Sequence, residues 1–158
     1  MLLLMEFMER CLNERGLLEN LPYSVWYDWA DIDRRGEMLI INVLYAEVLK
    51  RMLDFSEKLD LPADRYKWNE IRENIQQHIS DFFDPEMGVF VDCIVNGKRS
   101  RHTSEHSNSL AILFGNIEKE QIKSIVKAYK EKPEIFGKVS PAWSFWLPAL
   151  VKAGEIDI

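Results

Sequence analysis

Apolar residues recur at helical spacing along most of this chain, and the longest such run covers residues 37–59. Its apolar stripe consists of Ile41, Leu44, Val48, Phe55 and Leu59, widened by Met38, Ala46, Leu49 and Leu53. A helix with so broad an apolar surface contacts neighbours on more than one side. We therefore predict that residues 37–59 form an inner helix of a layered helical fold.

The same periodicity predicts further helices over residues 2–13, 62–83, 105–114, 118–131 and 141–152. Asp60 is the expected N-cap of the helix that begins at Pro62. Pro148 lies inside the last helix, and we expect it to kink that helix because proline has no backbone N–H to donate.

One stretch between the helices has the features of strands. Asn96-Gly97 separates residues 89–95 from residues 98–103, and this dipeptide is the strongest short signal for a two-residue hairpin turn. The expected fold class is therefore all-α, with one small β-hairpin near residues 89–103. At 158 residues and 47% hydrophobic content, the chain is long enough for one domain with a real core, a single helical unit over residues 1–158.

Charge and cysteine content exclude several classes of protein. The net charge is -6 and no long basic run occurs, so nucleic acid is not an expected partner. Cys11 and Cys93 are too few for a disulfide framework or a cysteine zinc site. The apolar start of the chain stops at Glu6 without the pattern of a signal peptide, and no segment approaches the length of a membrane span. We expect no membrane partner, and the cellular compartment is left open.

A loop rich in tryptophan precedes the long helix and is the first candidate site. Trp26, Asp28 and Trp29 place a carboxylate between two indole rings. Indoles stack on the apolar face of a pyranose, and a carboxylate accepts its hydroxyls. Because exposed indoles are costly, we expect this loop to fold inward. The alternative is that both tryptophans are anchors of the core.

Two other clusters could in principle hold a metal ion. Asp28, Asp31, Asp33 and Glu37 are four carboxylates within ten residues, but they lack the ligand pattern of a known calcium loop. We expect them to form a solvated loop paired with its own arginines, Arg34 and Arg35.

The run from His102 to His106 fits the H-x-x-E-H pattern of inverted zinc peptidases. The two histidines are expected to straddle a strand-to-helix junction, where they would not share one helical face. We predict neither a metal ion nor a cofactor.

Four runs in order along the chain resemble the catalytic domain of bacterial α-L-rhamnosidases. They are residues 13–52 (NERGLLENLPYSVWYDWADIDRRGEMLIINVLYAEVLKRM), 79–92 (ISDFFDPEMGVFVD), 104–115 (SEHSNSLAILFG) and 140–157 (SPAWSFWLPALVKAGEID). Asp28-Trp29 match a "DW" motif, and Asn42 and Tyr45 match an Asn-x-x-Tyr signature. Trp143 and Pro148 depart from the last motif.

The resemblance implies part of an (α/α)6 toroid that hydrolyses α-L-rhamnosides with inversion, which requires two carboxylates. In that family the acid lies upstream of the segment matching Met1, and the base lies downstream of the segment matching Ile158. We therefore expect a fragment of a larger catalytic domain that contains neither catalytic glutamate. We predict that the isolated chain is inactive.

The implied substrate is a rhamnoside-type carbohydrate. The candidate substrate-binding residues are Trp26, Asp28, Trp29, Glu105, His106 and Asn108, of which the last three come from the resemblance. A helix cap that faces solvent is the alternative for His106.

Half a toroid would leave one flank of residues 37–59 uncovered, which predicts self-association or a partner chain on that flank. Two other functions remain open. One is a non-catalytic helical module that binds a carbohydrate or a partner chain. The other is a fragment of a different (α/α)6 glycosidase, such as a glucosidase or a trehalase-like enzyme.

Overall fold

The computed structural model describes residues 2–22, 28–60 and 64–154. Within these residues lie six α-helices: α1 (Leu2–Arg10), α2 (Leu39–Lys58), α3 (Arg65–His78), α4 (Glu105–Phe114), α5 (Lys119–Glu131) and α6 (Trp146–Lys152). Three short 3-10 helices cover Ile79–Phe82, Pro133–Ile135 and Pro141–Trp143. The predicted helical fold is confirmed. None of the helices in these ranges is long and apolar enough to span a membrane.

Seven short strands accompany the helices: β1 (Glu37–Met38), β2 (Phe83–Asp84), β3 (Val89–Phe90), β4 (Cys93–Val95), β5 (Lys98–Arg99), β6 (Thr103–Ser104) and β7 (Phe136–Gly137). They form a three-stranded antiparallel sheet in the order β1-β4-β5, the antiparallel pair β2-β3 and the parallel pair β6-β7. The β6-β7 pair joins segments more than thirty residues apart directly in front of α4.

The predicted hairpin is confirmed between β4 and β5. Asn96 and Gly97 have φ values of 50° and 73°, the positive values that a type I′ turn requires. The strands are shorter than predicted because their outer parts pair elsewhere. Val89 pairs with Asp84, and Thr103 pairs with Phe136.

Helix α2 lies at the centre of the packing and contacts both α3 and α4. Its first half is buried as predicted, and Leu39, Ile41 and Leu49 are at most 6% exposed. The second half of the same apolar stripe is not covered, and Val48, Phe55 and Leu59 are 46%, 51% and 63% exposed. The expectation of an inner helix therefore holds for the N-terminal half of α2.

Several predicted helix boundaries were wrong. Helix α1 ends at Arg10. Helix α2 begins at Leu39 because the two residues before it pair with β4. Asp64, not Asp60, caps α3, since its side chain accepts a hydrogen bond from the backbone N–H of Lys67. Pro62 lies outside the described residues.

The predicted proline kink in the last helix was also wrong. Helix α6 begins only at Trp146, so Pro148 falls in its first turn. The backbone N–H groups of a first turn have no intrahelical partner, and a proline there breaks no hydrogen bond.

Asn42 joins the start of α2 to the segment that precedes the tryptophan loop. Its side-chain oxygen accepts from the N–H of Leu18 at 2.8 Å. Its side-chain amide donates to the carbonyl oxygens of Leu18 and Met38 at 3.1 and 2.8 Å. Because this amide is completely buried, its two bonds to the backbone of Leu18 hold that residue against the helix.

Candidate functional site

The carboxylate of Asp28 joins three separate segments of the chain. Its Oδ2 accepts from His106 Nε2 at 3.0 Å and from the backbone N–H of Ser140 at 2.7 Å. Its Oδ1 accepts from the backbone N–H of Trp29 at 2.7 Å. The residue is only 1% exposed. The structure thus brings together Asp28 and His106, two of the residues selected from the sequence.

The charge of Asp28 follows from these contacts. Burial alone raises the pKa of a carboxyl group. Hydrogen bonds from Ser140, His106 and Trp29 outweigh burial and lower the pKa of Asp28 to about 2. Since an ionised carboxylate can only accept, His106 Nε2 carries a proton and donates it. The imidazole also lies against the ring of Phe145, with 6.5 Å between centroids.

Glu105 holds a second loop to the same helix end. It is the first residue of α4, and Ser104 caps that helix by accepting from the N–H of Ser107. The carboxylate of Glu105 accepts from Lys138 Nζ and from the backbone N–H of Val139, both at 3.0 Å. The residues that follow β7 are therefore fixed in front of α4. The solvent-facing alternative for His106 is wrong, because that side chain is 2% exposed and points at Asp28.

Asn108 lies behind this arrangement and is completely buried. Its side-chain oxygen accepts from the N–H of Phe90 at 2.9 Å. Its amide donates to the carbonyl oxygens of Phe90 and Ser104 and to the hydroxyl of Thr103, at 2.8 to 3.0 Å. These contacts tie β3 and β6 to α4. Asn108 and Asp28 are both buried, so each side chain contacts neighbouring residues and not solvent.

Trp29 is the site residue that faces outward, with 87% of its surface exposed. The expectations that this indole would fold inward or anchor the core were wrong. Asp28, and not Trp29, is the buried residue of this pair, and its carboxylate holds the loop to the rest of the domain. Trp26 lies outside the described residues. Two clefts on the described surface, one beside Gln76 and one beside Asp84, contain none of the candidate residues.

Asp92 is a functional candidate that we did not select from the sequence. It is completely buried, and its Oδ1 accepts from the hydroxyls of Ser104 and Ser107, both at 2.6 Å. Its Oδ2 accepts from the N–H of Asp33 at 3.0 Å and lies 2.6 Å from His102 Nδ1. The available signal was a lone carboxylate inside the apolar run of residues 89–95.

The two histidines of the H-x-x-E-H pattern serve different carboxylates. His102 lies between Asp92 and Asp31, whereas His106 faces Asp28. Among the described residues, no group of three or more His, Cys, Asp or Glu side chains is placed to hold a metal ion.

The predicted pairing of the acidic residues 28–37 with Arg34 and Arg35 is found for some of them. Arg35 binds both carboxylate oxygens of Asp33, at 2.9 and 2.7 Å, and this contact lowers the pKa of Asp33 far below its usual value. Asp31 instead faces His102 Nε2 at 3.2 Å. Arg34 donates to the backbone carbonyl of Asp28, and Glu37 pairs with Arg15 at 2.6 Å.

Comparison with known proteins identifies the domain that carries this arrangement. Residues 4–138 match the family described as the bacterial alpha-L-rhamnosidase 6 hairpin glycosidase domain. The chain belongs to this family. The predicted fold class, part of an (α/α)6 toroid, and the resemblance to bacterial α-L-rhamnosidases are confirmed.

A solved structure agrees with the family. The GH78 family rhamnosidase of Bacillus sp. GL1 superposes with a TM-score of 0.81 and 24% sequence identity, which shows a shared fold. The match covers 96% of this chain but only 16% of that enzyme, so the chain spans about one sixth of its length. No curated protein matched the sequence of this rhamnosidase-type domain.

Proposed function

We propose that this chain forms one wall of the carbohydrate site of a rhamnosidase-type glycosidase, with a rhamnoside-type sugar as ligand. The observation that carries the proposal is the placement of Trp29. Its indole is 87% exposed, while Asp28 beside it is buried and bonded to segments 78 and 112 residues away. An aromatic face held rigidly at the surface of a glycosidase domain is suited to stack on a sugar ring.

Within this proposal the candidate residues have different roles. Trp29 provides the stacking surface, and Trp26, which lies three positions earlier in the sequence, stays a candidate for a second one. Asp28 and His106 hold that loop against α4. Glu105 holds Lys138, whose side chain is 55% exposed and can donate to sugar hydroxyls. Asn108 supports the start of α4 from behind. A direct sugar contact of any of these side chains stays a prediction.

We further propose that both catalytic glutamates lie outside this chain, which is a fragment of a larger catalytic domain. An inverting glycosidase needs one protonated carboxyl group as acid and one carboxylate as base. Asp28, with a pKa of about 2, is ionised at neutral pH and enclosed. Glu105 is paired with Lys138. Both are poorly suited to be the acid, which supports a position of that group outside this chain.

Sugar binding is tested by titrating L-rhamnose into the purified chain and following tryptophan fluorescence or proton NMR. Trp29→Ala should weaken binding about two- to tenfold, the effect of losing one aromatic contact. Tyr66→Ala, which removes a 75% exposed aromatic side chain from α3, is the matched control and should bind as the parent does. Equal affinity of parent and Trp29→Ala would exclude the stacking role.

Inactivity is tested with an aryl α-L-rhamnoside. The purified chain should release no aryl alcohol above background, because each missing acid or base contributes roughly 10²–10⁴-fold to the rate. Turnover that disappears in Asp28→Ala would overturn both the inactivity and the role given to Asp28.

A second candidate function rests on the exposed half of the α2 stripe. Val48, Phe55 and Leu59 are large apolar side chains on one face, and such patches mark interaction sites. We propose self-association, or a partner chain, across this flank. The alternatives are a purely non-catalytic helical module and a fragment of another (α/α)6 glycosidase, and the family match favours the rhamnosidase type over other glycosidases.

A further inference from the structure

His102 lies between two carboxylates of different segments. Its Nδ1 is 2.6 Å from Asp92 Oδ2, and its Nε2 is 3.2 Å from Asp31 Oδ2. Ionised carboxylates only accept hydrogen bonds, and a neutral imidazole carries a single N–H. Both contacts can therefore be hydrogen bonds only when His102 is the doubly protonated imidazolium.

The charges around this imidazole favour that form. The hydrogen bond to Asp92 raises the pKa of His102 to about 9 against the opposing effect of burial, and Asp31 adds to the rise. Asp33 of the same loop bears a further negative charge, which Arg35 neutralises. From β7, the backbone of Gly137 approaches the ring, so that element presents no charge of its own there.

The two carboxylates differ in how firmly they are held. The Asp92 side chain is fully buried, and the hydroxyls of Ser104 and Ser107 fix one of its oxygens. The Asp31 side chain is 86% exposed, so the bond to His102 orders a group that water otherwise surrounds. Asp92 is thus the anchor, and Asp31 is the part that is held.

The held part belongs to the loop that presents Trp29. Residues 29–32 run between Asp28, which is bonded to Ser140 and His106, and Asp33, whose N–H donates to Asp92. The Asp31 backbone also packs so closely on Gly137 that a Cβ at residue 137 would collide with its carbonyl oxygen. The contact from His102 therefore acts in the middle of a short span that is fastened at both ends.

We propose that His102 is a positioning residue, whose imidazolium clamps Asp31 to the buried Asp92 and so fixes the orientation of Trp29. The sugar-related part of this inference rests on the proposed function, whereas the clamp itself does not. When the imidazolium loses its proton, one of the two hydrogen bonds is lost. The more exposed one, to Asp31, is the one released, and the Trp29 loop gains freedom.

The clamp is tested without sugar by amide hydrogen exchange on the intact chain. Asp31→Ala and His102→Gln should both speed exchange of the amides of residues 29–32 about two- to tenfold, the effect of losing one hydrogen bond. His78→Gln, the same substitution at a histidine of α3, should match the parent. Asp31 is on the surface, so its variant decides the question even if His102→Gln does not fold. Unchanged exchange in residues 29–32 overturns the clamp.

Two further measurements test the clamp and the positioning of Trp29 separately. Imidazole ¹⁵N NMR should show His102 doubly protonated at pH 7.5, and a neutral ring at that pH overturns the clamp. L-Rhamnose should bind Asp31→Ala about two- to tenfold more weakly than the parent. Faster exchange with unchanged affinity overturns the positioning of Trp29. If the parent does not bind rhamnose, the proposed function fails, and exchange still decides on the clamp.

Discussion

Asp28 shows how one enclosed side chain can organise a surface site. Its carboxylate is hidden, yet it accepts from Trp29, His106 and Ser140, which come from three segments. The sequence suggested Asp28 and His106 together only through the family resemblance, because no local pattern relates residues 78 positions apart. The exposure of Trp29 could not be read from the sequence, since an indole in a loop is more often buried.

The first prediction concerns the acid stability of the Asp28 contacts. The pKa of Asp28 falls from 3.8 to about 2 on folding, so ionised Asp28 stabilises the fold above pH 3.8. That contribution, about 2 kcal/mol, is lost as the pH falls from about 4 to about 2. Urea unfolding of the parent and of Asp28→Asn between pH 6 and 2 should show the difference. Parallel curves for the two proteins would contradict it.

Asp92 illustrates what residue patterns miss. Its partners lie 10, 12 and 15 residues ahead in the chain, and Asp33 lies 59 residues behind it. The role of this buried carboxylate is recognisable only in the folded structure, because its hydrogen-bond donors are far apart in the sequence.

The second prediction is that Asp92→Ala destabilises the fold by about 3–5 kcal/mol, the cost of removing one member of a buried charged network. The substitution leaves the hydroxyls of Ser104 and Ser107, the N–H of Asp33 and the His102 ring without their acceptor. Chemical denaturation followed by circular dichroism measures the loss. Asp54→Ala, at an exposed position of α2, is the control and should change stability by less than about 0.5 kcal/mol.

At the scale of elements, periodicity predicted each of the six helices in the described part of the chain, and the Asn-Gly dipeptide predicted the hairpin. Their type was accessible because it depends on residues within a few positions of each other. Their boundaries were not, since pairing with distant residues decides them. Glu37 and Met38 continue the helical pattern of α2 in sequence but pair with β4 in the structure. Likewise, no local signal predicts the parallel pairing of β6 with β7.

The third prediction compares two glycines of the same sheet region. Gly36 has a φ of 56°, and a Cβ there would collide with the carbonyl oxygen of Ile94. Gly97 has a φ of 73° but open space around it. Gly97→Ala should cost about 1–2 kcal/mol for the left-handed backbone alone. Gly36→Ala should cost at least about 2 kcal/mol more, because β1 must move away from β4. Equal midpoints in urea would refute the close approach.

At the scale of the whole molecule, the apolar stripe of α2 is buried near the start of the helix and exposed towards its end. The stripe that begins with the buried Ile41 ends with the exposed Phe55 and Leu59. The sequence predicted this stripe but not where the neighbouring helices stop covering it, because that cover is provided by α3 and α4 and not by α2 itself.

The fourth prediction is that the chain self-associates across this flank. Sedimentation velocity at about 10 µM should show species larger than the monomer, as exposed apolar surface favours association. Replacing both Phe55 and Leu59 by Glu should restore the monomer. Trp143→Glu, which alters another exposed apolar side chain, should leave the assembly unchanged. A parent chain that sediments as a monomer would contradict the prediction.

The bonds of Asp28 also bear on the order in which the molecule folds. The contact with Ser140 closes a loop of 112 residues, whereas α2 and α3 pack across a short connection. Closing a long loop costs more chain entropy than closing a short one, and distant contacts form slowly. We therefore expect the α2–α3 pair to form early and the Trp29 loop to find its place last. A chain arrested late in folding would have most of its helices but would not yet hold Trp29 in place.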